Sequence, residues 1–133
     1  MSYTNLKVSL NALEQMIEAC DTLLDWSDKI TDVEDYHTSS EGMMNLAGSC
    51  MLIEAIGEGL KKIDGKLPGF LDTEKPEVEW KKIKGMRDHI AHGYFEINSD
   101  YVFFITKNQI VPLRQTLVEL KDILIERIYT EGE

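Results

Sequence analysis

Trp80-Lys-Lys-Ile-Lys-Gly-Met-Arg87-Asp-His-Ile-Ala-His92-Gly-Tyr94 reads as one amphipathic helix. At about 100° per residue, Trp80, Ile83, Arg87, Ile90, Ala91 and Tyr94 fall on one side of it. The pattern predicts a helix that starts near Pro76 or Glu77, where proline is tolerated in a first turn, and ends at Gly93. It also places an arginine on the face that should be buried, which is costly unless something pairs with it. On the neighbouring flank Asp88 and His92 stand four residues apart and can touch. A permanent cation, a titratable base and a carboxylate thus lie within a turn and a half.

The rest of the chain repeats the helical period. From about Asn5 to Lys29, Leu10, Leu13, Ile17, Cys20 and Leu24 form a packing seam, while Glu14, Glu18, Asp21, Asp25 and Asp28 take the other face. A polar link over 31–40 leads to a second helix, roughly Ser40 to Ile63, which is apolar almost all round between Met43 and Leu60 and so reads as the buried central element. Gly65, Pro68, Gly69 and Pro76 mark one sizeable loop. Tyr101–Ile105 is rich in strand formers, but Asn98, Ser99 and Asp100 are good helix caps and no partner strand is apparent, so a short helix is expected. The last helix runs from Pro112 to about Tyr129, with Leu113, Leu117, Leu120, Leu124 and Ile128 on one face. The expected fold is all-α: a single domain over 1–133, built as an up-and-down bundle of four long helices plus a short one.

The 133 residues carry a net charge of −10, which argues against DNA or general nucleic-acid binding, since phosphate affinity comes mostly from Lys and Arg. The charge is unevenly spread. Residues 1–60 hold 2 basic and 11 acidic side chains, whereas residues 61–87 hold 8 basic and 5 acidic. Lys81 and Lys84, near the Asp88/His92 flank, could make a small positive site able to accept a phosphate locally. Ordinary solvated helix lysines are the competing reading. Cys20 and Cys50 show no CxxC spacing and read as reduced core thiols. With neither a signal-peptide pattern nor a membrane-spanning apolar run, a cytoplasmic protein is expected.

Among candidate chemistries, metal binding has little support: His37, His89 and His92 lack an HExxH or a paired Glu-x-x-His arrangement. No Gly-rich phosphate loop follows a strand, and Ser49 and Cys50 lie mid-helix rather than on a nucleophile elbow. No cofactor is implied. Phosphate chemistry on RNA suits Arg87 and His92 better. The RNA 2′-OH is an internal nucleophile held beside the scissile phosphate, so a protein need only remove its proton and stabilise the developing charge. Histidine suits the first task and a forked guanidinium the second. Asp88 could fix the tautomer of His92, and Tyr94 could stack or hydrogen-bond beside the RNA. The competing reading is structural: a histidine at a helix end, an arginine bonded to carbonyls and a packed tyrosine.

Arg87-x4-His92-x-Tyr94 resembles the R-x4-H-x-Y signature of the HEPN superfamily, specifically the HepT-like ribonuclease toxins. Trp80-Lys-Lys-Ile-Lys-Gly-Met-Arg87 resembles that family's lead-in, and Ala91–Phe95 its continuation. Ile56-Gly57-Glu58-Gly59 is similar to its I-G-E-A segment, with Gly59 where alanine is usual. The resemblance covers roughly residues 5 to 128. It implies a HEPN-type homodimer in which two motif copies face each other across a cleft and form one metal-independent endoribonuclease site, so that the partner chain buries Arg87. It implies Arg87 and His92 as catalytic residues and Tyr94 as the acceptor of AMP from a minimal nucleotidyltransferase antitoxin; the reading of the residues themselves adds Asp88 to the catalytic set as the orienter of His92, and Lys84 and Lys81 beside Tyr94 on the RNA side. Asp88 departs from the asparagine common in relatives: it can orient His92 but repels phosphate. The alternative reading is a non-catalytic helical dimer acting as a protein-binding or regulatory module.

Overall fold

The first two long helices each begin on a capping side chain that the sequence supplies. In the computed structural model, which describes residues 2–90 and 96–131, the Ser2 hydroxyl accepts from the Asn5 N–H and opens α1 (Tyr3–Ser27). Asp32 and Asp35 form a reciprocal capping box around a 3-10 turn, Val33–Tyr36. Ser39 accepts from the Gly42 N–H at 2.9 Å and starts α2 (Ser40–Lys66). These bonds satisfy first-turn donors that a helix leaves unpaired. Gly69, at φ 80°, then turns the chain into the short α3 (Phe70–Glu74). α4 (Trp80–Lys84) and α5 (Met86–Ile90) follow. Asn98 caps α6 (Ser99–Phe104) by accepting from the Tyr101 N–H. A π-helical turn, Ile105–Gln109, joins α6 to α7 (Ile110–Glu131).

The expectation of an all-α bundle holds: no strand forms among the described residues. α1 packs against α2 and α7, and α2 also receives the 3-10 turn, α3, α4, α5 and α6. α1 buries Leu6, Ala12, Leu13, Met16, Ala19, Cys20 and Leu23, a wider face than the expected seam, on which Leu10, Ile17 and Leu24 are only partly buried. Ile53, Ile56, Leu60 and Ile63 of α2 and Leu117, Leu120 and Leu124 of α7 complete the core. Each fully buried leucine or isoleucine contributes about 1.5–3 kcal/mol relative to exposure.

α2 is not buried all round: Met43, Met44 and Met51 are exposed along it. Three boundaries also differ from expectation. The 65–76 loop contains α3. The short helix and the last helix are joined through the π turn, so that α7 begins at Ile110, two residues before Pro112. The expected helix from Pro76 starts only at Trp80, because the Trp80 indole N–H donates to the carbonyls of Leu71 and Lys75 and holds residues 75–79 in turns. None of the described helices is long and apolar enough to cross a membrane.

Candidate active site

The segment that carries Arg87 is broken at Gly85, and the break decides where the arginine points. Gly85 sits at φ −93°, ψ 4°, and its N–H reaches back to Ile83 and Lys81. α5 consequently restarts out of phase with α4. Trp80 is buried on α4, but on α5 the buried residues are Met86 and Ile90, four apart. The stripe predicted through Ile83, Arg87 and Ile90 is thus corrected: Arg87 leaves the core face, with its side chain 61% exposed.

α2 supplies the reason for the junction. The Lys84 carbonyl lies 3.3 Å from where a Cβ on Gly57 would stand, so the missing side chain lets the end of α4 approach the α2 backbone. Glu54, three residues earlier on the same face, pairs with Arg87 at 3.2 Å from Nε to Oε1. Asp64, two turns further along, takes the Lys84 ammonium. Glu54, Gly57 and Asp64 thus line the side of α2 that receives α4 and α5. Lys84 was expected on the Asp88/His92 flank; the structure turns it to α2 instead. Gly59 faces Met16, whose Sδ would lie 2.6 Å from an added Cβ.

The other predicted residues separate. Asp88 is exposed on α5. Lys81 lines a shallow depression with His89 and Asp72 on the side away from α2. His89, considered only as a weak chelator, instead packs against Tyr101 of α6, with ring centroids 5.9 Å apart. His92 and Tyr94 lie outside the described residues, as does the expected helix end at Gly93. Cys20 and Cys50 are free thiols; burial first, then Asp21, pushes Cys20 up to about 12, and burial first, then Glu54, also raises Cys50. Neither is poised as a nucleophile. The residue that sequence reasoning missed is Glu54. Its one visible signal is its position a single turn before the Gly57-Glu58 pair.

An all-α bundle that presents an exposed, carboxylate-held arginine at a helix break defines the class: a helical domain with a candidate anion site outside its own core. The comparison with known families goes further. The Ribonuclease HepT-like family model matches residues 16–120, most of the chain, and the chain belongs to the HepT-like ribonuclease family. It is similar to three proteins: Putative RNase MJ0127 and Putative RNase MJ1216 of Methanocaldococcus jannaschii, and Putative RNase TTE0752 of Caldanaerobacter subterraneus. The first is 33% identical over 81 residues, 61% of this chain and 59% of the relative. The second is 32% identical over 72 residues, 53% and 56%. The third is 32% identical over 68 residues, 51% and 57%. The chain thus spans less than three-fifths of the length of each relative it matches. No solved structure matches it significantly.

Proposed function

We propose that this protein is a metal-independent endoribonuclease that works as a homodimer and serves as the toxin of a pair with a minimal nucleotidyltransferase. The carrying observation is the family match, which spans the whole Arg87-x4-His92-x-Tyr94 window. In this reading His92 takes the proton from the RNA 2′-OH as that oxygen attacks phosphorus. The 5′ oxygen leaves with a proton returned by the imidazole, and the products are a 2′,3′-cyclic phosphate and a 5′-OH. Arg87 neutralises charge growing on the non-bridging oxygens, and Asp88 holds the imidazole tautomer. AMP placed on Tyr94 would add bulk and negative charge where RNA phosphates lie, which closes the site.

The exposed position of Arg87 supports a site completed by a second copy, because a single chain leaves the guanidinium open on one side. Met43, Met44 and Met51, exposed on α2 together with Ala47 and Ala55, give that copy an apolar face to cover. The same face suits the alternative, a non-catalytic regulatory dimer. Salt separates the two. Cleavage of a single-stranded RNA should fall steeply from 50 to 200 mM salt if phosphate contacts carry it, whereas apolar pairing persists. Sedimentation of the purified chain tests the dimer, and intact mass after co-expression with the antitoxin tests the Tyr94 adduct.

Glu54 sets a further expectation. It competes with phosphate for Arg87 and repels it. Glu54→Gln should therefore lower KM for RNA by about two- to fivefold, the worth of an exposed ion pair, with kcat nearly unchanged. A large fall in kcat would instead assign Glu54 the task of aiming the guanidinium.

A further inference from the structure

On the side of α5 opposite Arg87, a groove of about 610 Å³ opens between α4–α5 and the α6–α7 junction. Three aromatic rings follow one another in it, His89 from α5 and Tyr101 and Phe104 from α6. His89 lies 5.9 Å from Tyr101, and Tyr101 lies 6.3 Å from Phe104, centroid to centroid. Phe104 is 47% exposed, a large apolar ring left partly in water. Buried Met86, Ile110 and Leu113 also line the groove. The π-helical turn, in which the Ile110 N–H reaches back to Ile105, places Asn108 and Gln109 along the groove, with the Asn108 Nδ2 donating to the Phe104 carbonyl at 3.1 Å. Such turns are uncommon and frequent at functional sites. The remaining rim is Glu77, Glu79 and Lys82, with Lys82 paired to Glu79 at 3.0 Å.

We propose that this groove is a base-stacking subsite that takes a nucleobase bearing an exocyclic amino group from single-stranded RNA. The proposal rests on the ribonuclease reading. Unpaired bases are recognised by stacking on aromatic side chains and by hydrogen bonds to their edges, and this groove offers both. The acidic rim sets the selectivity. Carboxylates only accept hydrogen bonds, so Glu77 and Glu79 match an amino group, whereas the single N3–H of uracil is flanked by two carbonyls that a carboxylate repels. They also repel phosphate, so the sugar-phosphate runs outside the groove. α5 links the two sites: it points Arg87 to α2 and, two residues on, His89 to the groove. A helix with side chains is about 10–12 Å across, a short enough span for neighbouring nucleotides of one strand to reach both.

The test uses the full-length protein and four probes: free guanosine, adenosine, cytidine and uridine. Ring resonances of Tyr101, Phe104 and His89 should shift with the first three and respond least to uridine. In RNA cleavage, Phe104→Leu keeps the apolar bulk and removes the ring; it should raise KM on the order of tenfold with kcat unchanged, while Phe104→Tyr behaves as wild type. Glu77→Gln with Glu79→Gln should erase the preference against uridine. Wild-type cleavage with an unchanged KM in Phe104→Leu would overturn the subsite and leave the ribonuclease reading standing. Nucleoside shifts without any cleavage would support the groove as a base site and count against the ribonuclease reading. A response to an Arg/Lys-rich peptide and none to nucleosides would make the rim a protein contact and overturn the proposal.

Discussion

Arg87→Ala should slow RNA cleavage by about 100- to 1000-fold, the usual consequence of removing one preorganised donor from a developing oxyanion. It should do so with almost no loss of stability. The side chain is 61% exposed and its partner Glu54 is itself 44% exposed, so the pair is solvated and contributes little to folding. The thermal midpoint is expected to move by less than about 2 °C. Arg87→Lys keeps the charge but loses the fork that spans two phosphate oxygens, and should recover only part of the rate. Cleavage kinetics and a melting curve on the same preparations check both halves. Full activity in Arg87→Ala would remove the guanidinium from the chemistry.

Gly42→Ala should destabilise the fold by about 2 kcal/mol, even though alanine is the better helix former. Gly42 lies in the first turn of α2, and an added Cβ would fall 1.9 Å from the Asp35 carbonyl oxygen, a backbone atom. That carbonyl belongs to the 3-10 turn, which is fixed by the capping box and by buried Tyr36. The clash cannot be relieved by a side-chain rotation, so the turn or the helix must move. Gly65 is the internal control. It lies one residue before the end of the same helix with nothing within 4 Å of an added Cβ, so Gly65→Ala should stabilise by about 0.5–1 kcal/mol. Denaturant midpoints that shift in the same direction for both variants would contradict this account of α2.

The contrast between those two glycines shows where sequence reasoning loses sight of the fold. Helix after helix is legible, because Leu13, Cys20, Leu117, Leu120 and Leu124 repeat at the right interval, and Asn98 was recognisable as a cap before a strand-like run. What periodicity cannot show is contact between elements. Trp80 reads as one more apolar position, yet its indole bonds to Leu71 and Lys75 delay the start of α4. Gly85 reads as a tolerated interruption, yet it rephases α5 and moves Arg87 from the apparent core face to the surface. α2 looks apolar all round, but hydrophobicity alone does not tell a residue buried by its own chain, such as Ile56, from one left exposed, such as Met51. Of the site, the motif itself could be read. Its carboxylate partner Glu54 could not, since that pairing joins residues 33 positions apart through a close approach at Gly57.

The central claim is tested most directly by incubating single-stranded RNA in EDTA with protein expressed alone, wild type beside His92→Ala, after intact mass has shown Tyr94 to be unmodified. Wild type should cleave and leave 2′,3′-cyclic phosphate ends, and His92→Ala should be slower by at least about 100-fold. Equal cleavage by both proteins, or none by the unmodified wild type, would contradict a metal-independent ribonuclease built on His92.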